Sequence, residues 1–171
     1  MVSKVLGTHP VWVLGLFAVA CGHAPAPCPA PEAIPVILRA GDRLNADDDG
    51  QALPTTVRLY QLKDLGRLAT ATLDQMLDND RAVLADDLLS VSEITLYPGE
   101  ASKPVLDRRE GAGFLAVVAF FRHPIGAGWR AASKLPPRDG SPCATEPVEQ
   151  RRPWFRYALR ENQIDETGGL R

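Results

Sequence analysis

The sequence lacks the parts from which most enzymes and nucleic-acid binders are assembled. No G-x-S-x-G, H-E-x-x-H or P-loop spacing occurs, so no recognised pattern builds a triad, a zinc-protease centre or a phosphate cradle. Histidine is scarce, three in 171 residues, and only His23 and His123 lie beyond the first apolar run, which leaves few candidates for a general base. Basic residues are scattered and the formal net charge is only −2, which gives no electrostatic footprint for a nucleic acid. The three cysteines contain no C-x-x-C pair, so the usual zinc spacings are absent. Sustained helical periods are few, whereas 15 prolines and 14 glycines punctuate the chain and point to short strands between turns. What is present is enough apolar sequence, 45% of residues, to bury the core of one domain. The expectation is a mainly β protein that is not an enzyme, with no metal, no nucleic acid and no small-molecule substrate.

The N-terminus is the most specific short segment. Lys4 supplies a positive charge, and Val11 to Ala20 form an apolar run too short to span a bilayer but suited to a signal peptide. The run ends in Ala18-Val19-Ala20-Cys21, which resembles the lipobox of bacterial lipoproteins, with Ala18 where that pattern usually has leucine. The resemblance implies that residues 1–20 are a cleaved signal peptide and that the Cys21 thiolate takes a diacylglycerol and, after cleavage, an N-acyl chain. No other cofactor is expected. At about 0.8 kcal/mol per buried methylene, two or three chains anchor a protein durably without a transmembrane helix. Gly22 stands where aspartate would favour inner-membrane retention, so the resemblance implies delivery to the inner leaflet of the outer membrane, facing the periplasm. An ordinary secretory signal followed by an unrelated cysteine is the alternative.

Residues 21–35 read as a lipidated, proline-rich tether, because alternating prolines fix φ and favour an extended chain. At about 3.1 Å per residue it reaches roughly 40 Å. Cys28 lies within it, and Cys143 is the other cysteine left once Cys21 is acylated. An oxidising compartment and even parity favour a Cys28–Cys143 disulfide, with two unpaired thiols as the alternative.

A β domain is expected over residues 36–165, followed by a tail at 166–171. It opens with a strand at 36–40 and continues, after a long polar loop at 41–54, with a strand at 55–62, where Val57 and Leu59 share one face and Arg58 and Tyr60 the other. The loop holds Leu44, Asn45, Asp47, Asp48, Asp49, Gly50 and Leu53. Asn45-x-Asp47-x-Asp49-Gly50 matches the opening of an EF-hand calcium loop, but Thr56 stands where the bidentate glutamate belongs and no helices flank the segment. A solvated turn using Asn, Asp and Gly for local hydrogen bonds is one reading, and a docking loop the other. In the docking reading the acidic tip supplies charge, Leu44 and Leu53 supply apolar contacts, and the loop contributes little to the core.

The period then changes. Leu65, Leu68, Ala69, Leu73, Met76 and Leu77 predict a helix of about three turns capped by Asp64, and a second short helix is expected behind Asp80, giving a helical insertion at about 64–89. Strands are expected again at 92–97, at 103–107 as a return strand after the Pro98-Gly99 turn, at 114–121, at 129–135 and at 154–164. Pro104 marks an edge. The run at 114–121 is apolar on both faces and reads as a central strand, whereas Phe155, Tyr157 and Leu159 alternate inward against Arg156 and Arg160.

Val57-Arg58-Leu59-Tyr60-Gln61-Leu62-Lys63-Asp64, the helical stretch through Ala82 to Leu88, Tyr97-Pro98-Gly99-Glu100, Phe114 to Arg122 and Gly128-Trp129-Arg130 are similar, in order and spacing, to the TssJ family of type VI secretion lipoproteins. The resemblance implies a transthyretin-like sandwich of two sheets with a helical insertion after the second strand. It also implies a partner, the periplasmic C-terminal domain of the inner-membrane protein TssM, contacted through the loop after the first strand. A periplasmic lipoprotein with a transthyretin-like ligand-binding or chaperone role is the alternative, and capture of a large membrane partner discriminates the two.

Overall fold

A computed structural model describes residues 33–136 and 155–168. Their order is β1 (Ala33–Ala40), β2 (Thr55–Leu62), α1 (Gly66–Thr70), α2 (Leu73–Leu84), a 3-10 turn (Ala85–Asp87), β3 (Leu88–Leu96), β4 (Ala101–Ser102), β5 (Val105–Asp107), β6 (Phe114–Ala119), β7 (Arg130–Lys134), β8 (Phe155–Arg160) and β9 (Gln163–Gly168). One sheet runs β4-β1-β8-β9, with β5 also on β1, and the other runs β3-β2-β6-β7. Among the described ladders only β1–β8 is parallel. The fold is the expected two-sheet β-sandwich with a short helical insertion.

Alternation puts Val36, Leu38, Tyr157 and Leu159 of the first sheet against Val57, Leu59, Leu115 and Val117 of the second, and each is at most 1% exposed. Burial of this kind stabilises by about 1.5–3 kcal/mol per large aliphatic side chain. The two outer faces differ. On the first sheet Arg39, Arg156 and Arg160 are exposed. On the second, Tyr60, Ala116 and Val118 are fully buried, because the helices lie over them. Two arginines fasten that cover. Arg58 donates to the Met76 carbonyl at 3.1 Å, to Asp80 at 3.2 Å and to Glu93 at 2.7 Å, and lies over the Phe120 ring. Arg130 donates to the carbonyls of Leu68, Ala69 and Ala71 at 2.7–2.8 Å, at the end of α1 where carbonyls run short of helical donors, and rests on Trp129.

The electrostatics follow this packing. Burial pushes the Tyr60 hydroxyl pKa well up, and its 2.7 Å bond to the Asp80 carboxylate adds to the rise. Burial works against the Arg58 charge, but Glu93, Tyr60 and Asp80 more than offset it, so its pKa is raised. At the opposite edge Tyr157 shares a 2.7 Å hydrogen bond with Ser133, which also donates to Glu166 and so ties β7 to β9 across the sandwich. Burial pushes the Tyr157 hydroxyl up as well.

Several boundaries differ from the sequence reading. β1 begins at Ala33, inside the expected tether, because Ala33, Ile34 and Pro35 find partners in β5. The single helix expected behind Asp64 is broken after Thr70. Asp64 Oδ1 accepts from the Gly66 N–H at 2.6 Å, yet Leu65 holds the N-cap position of α1. Thr72 starts α2 through a capping box with Gln75. Asn79 then leaves helical geometry, and its side chain accepts from the Ala82 N–H, taking the capping role expected of Asp80. Asp80 is turned to the sheet, where it holds Arg58 and Tyr60. In place of a return strand at 103–107 in a hairpin with β3, two short pieces, 101–102 and 105–107, pair with β1, with Lys103 and Pro104 between them. The last strand is a hairpin, β8 and β9, turning at Glu161 (φ 50°), and β9 runs into the expected tail as far as Gly168.

Candidate functional site

The loop at 41–54 has a buried neck and an exposed tip. Leu44 is fully buried and Asn45 is 4% exposed. Asn45 sits in the left-handed region (φ 47°), which asparagine tolerates better than most residues. Its backbone N–H donates to the Glu161 carbonyl at 2.7 Å, and its side-chain oxygen accepts from the Arg122 N–H at 2.8 Å. One residue thus joins the loop to the β6–β7 connection and the β8–β9 turn. The Leu53 N–H donates to the Leu44 carbonyl at 3.0 Å and closes the neck.

Beyond it, Asp47 organises the tip. Its carboxylate accepts from the N–H groups of Asp49 at 3.0 Å and Gln51 at 2.8 Å, and its carbonyl accepts from Gly50 at 3.0 Å. Gly50 needs no side chain here because φ is 79°. The Asp47 carboxylate therefore serves the backbone of its own turn, while the Asn45 oxygen serves the distant Arg122 N–H. Asp48, Asp49 and Gly50 are left facing solvent. Asp48 lies 3.4 Å from His123 and Arg43 lies 3.5 Å from Glu161, pairs exposed enough to contribute about 0–1 kcal/mol each.

These positions correct part of the sequence reading. Asp47, Asp48, Asp49, Gly50, Leu44, Asn45 and Leu53 do lie on one loop, but Leu44 belongs to the core cluster and cannot meet a partner without opening the domain. Asn45 is a pin, and Leu53 is half-buried. The loop thus contributes to the core, contrary to expectation. The apolar surface at this end comes from residues the sequence reading did not select. Tyr97 is 57% and Ile125 55% exposed. Tyr97 enters a turn whose Gly99 N–H donates to the Gly41 carbonyl, and Ile125 donates to the Asn162 carbonyl. Gly128 secures this second contact, since a Cβ there would fall 2.8 Å from Gln163 Cβ and 2.9 Å from the Ile125 carbonyl oxygen. The Pro98-Gly99 and Pro124–Gly126 turn signals were the available cue, as each holds an apolar side chain in a bend. Cys21, Cys28 and Cys143 lie outside the described residues.

A family model described as type VI secretion lipoprotein, VasD, EvfM, TssJ matches residues 32–155. Among solved structures, the type VI lipoprotein TssJ1 from Pseudomonas aeruginosa is 27% identical over 82% of this chain and 99% of its own, with a TM-score of 0.64. Serratia marcescens Lip, a membrane-bound component of the type VI secretion system, is 20% identical over 80% and 97%, with a TM-score of 0.66. A chain in the structure of the TssM C-terminal domain from EAEC is 22% identical over 80% and 98%, with a TM-score of 0.61. No individually curated protein matches.

Proposed function

The chain belongs to the type VI secretion lipoprotein family of TssJ, VasD and EvfM, and from that premise we propose that it is an outer-membrane anchor, lipidated at Cys21, that docks the periplasmic C-terminal domain of TssM through the tip of the loop at 41–54. The observation that carries the reading is the division of that loop. A buried neck pinned by Asn45 presents Asp48, Asp49 and Gly50 in a fixed shape, so little conformational freedom is lost when a partner binds. The charges steer the encounter, and the contact is expected to weaken with salt. A fold shared with chains from structures of the TssM C-terminal domain and the type VI membrane complex supports the choice of partner. In this reading residues 1–20 are removed, the proline-rich residues before β1 form the tether, and the domain faces the periplasm. Cys28 and Cys143 form a disulfide.

Charge reversal at the tip tests it. Asp48→Lys with Asp49→Lys is expected to leave the melting temperature unchanged while weakening capture of the purified TssM periplasmic domain about tenfold or more and flattening its salt dependence. Unchanged affinity in titration calorimetry would place the interface elsewhere. Cys21→Ser is expected to abolish palmitate labelling, and labelled serine variant in the outer-membrane fraction would remove the anchor from the reading.

A further inference from the structure

The four sheet edges are not guarded alike. β4 and β5 are two and three residues long, with Lys103 and Pro104 between them. β7 is five residues and carries Lys134. β9 carries Asp165 and Glu166, the latter drawn to Ser133. Short edges, lysine, proline and charge are the devices by which sheets avoid adding strands. β3 has only one of them, a single charge. It is nine residues long, LLSVSEITL, with no proline, glycine or lysine, and its one charge, Glu93, is held by Arg58. Its ladder with β2 occupies one side from Leu88 to Leu96, and among the described residues no strand lies on the other. A groove runs along that open side at Leu88–Val91, with Arg81 of α2 and Arg109 at its walls, and a separate hollow lined by Arg58, Asp80, Arg81, Val91 and Glu93 lies on the helix-covered face. Neither Arg81 nor Arg109 makes an ion pair among the described residues.

An open backbone ladder suits one kind of protein occupant, an extended segment that replaces water along a whole row of N–H and C=O groups. The arginines fix its charge. A second copy paired antiparallel about Ser92 would bring Glu93, Ile94, Thr95 and Leu96 beside them, and the one acid, Glu93, is already held by Arg58. We propose that the β3 edge receives an extended, carboxylate-bearing segment of the periplasmic partner, which joins the β3-β2-β6-β7 sheet as its fifth strand and sets its acids against Arg81 and Arg109. The inference rests on the docking reading for the identity of that partner, but uses a surface separate from the loop tip.

Amide hydrogen exchange of the lipid-free chain, alone and with the TssM periplasmic domain, reads both contacts at once. Strand addition is expected to slow about every second β3 amide by tenfold or more, and Arg81→Glu with Arg109→Glu to reverse that protection and weaken binding roughly five- to tenfold without changing the melting temperature. Val91→Lys, which places a guard charge on the edge at some cost in melting temperature, is likewise expected to reverse the protection and weaken binding. Protection confined to the loop at 41–54 overturns this inference and leaves the docking reading intact. Protection confined to β3 supports the edge and overturns the loop. No protection at either refutes both. Protection of β3 that grows with chain concentration in the absence of TssM assigns the edge to a second copy and overturns the proposed occupant.

Discussion

The two sheets of the sandwich share one core but live under different rules. The β4-β1-β8-β9 sheet is wetted on its outer face, and β8 alternates accordingly, with Phe155, Tyr157 and Leu159 buried and Arg156 and Arg160 exposed. The β3-β2-β6-β7 sheet is covered on both faces, so β6 has five consecutive buried residues from Leu115 to Ala119. The helices supply that cover without a broad apolar stripe, as Leu77 is left 54% exposed. They are fixed by two arginines that reach across from the sheet to main-chain carbonyls. A cover built from polar bonds has a defined position, whereas one built from apolar contact alone can slide.

The sharpest way to break this contrast is to place the same carboxylate on each outer face. Ala116→Asp would bury a charge beneath the helices between Tyr60 and Ala132, with no cation directly opposite, and is expected to destabilise by about 4 kcal/mol or more. Ala158→Asp, opposite Arg39 on the open sheet, is expected to stay within about 0.5 kcal/mol of the parent. Urea unfolding measures both, and equal losses would mean that the second sheet is not covered. Arg130→Met removes the guanidinium over Trp129 and the bonds to Leu68, Ala69 and Ala71, at an expected cost of about 2–3 kcal/mol. Exchange of α1 amides should rise while the sheets stay protected, and uniform loss across the domain would contradict the fastening role. The smallest expected effect is on the alkaline side. Tyr60 and Tyr157 ordinarily titrate near 10.0 and are both raised in the fold. The unfolded chain releases those protons first, so stability is full below about pH 10 and falls above it by about 1.4 kcal/mol per unit for each tyrosine. Tyr157→Phe should make the alkaline limb shallower in a pH series of melts, and an unchanged slope would exclude Tyr157 as its source.

Much of this arrangement was legible in the sequence where the signal was local. β2 was bounded correctly because its alternation is clean and polar residues flank it, and the two-sided apolar run of β6 announced a strand covered on both faces. The β8–β9 turn was not legible, since Glu161 and Asn162 include neither glycine nor proline. The break between α1 and α2 did leave a trace, Thr72 and Gln75 at capping-box spacing, masked by leucines that continue the helical period across it. For the candidate site the loop was found and its anatomy was not. Leu44 and Asn45 look like surface residues among aspartates, and they are interior only because Arg122 and Glu161, far along the chain, come to meet them. Pairing of 105–107 with β1 escaped for the same reason, as no local pattern names a partner strand.

The place of β1 in its sheet has a mechanical consequence. It is the first described strand, it is hydrogen-bonded on both sides, and it runs directly from Ala33 to the neck of the loop. In the proposed arrangement a tug between membrane and partner enters at one end of this strand and leaves at the other. The load then lies along the strand axis, and the bonds to β8, β4 and β5 bear it together in shear instead of parting one at a time like a zip.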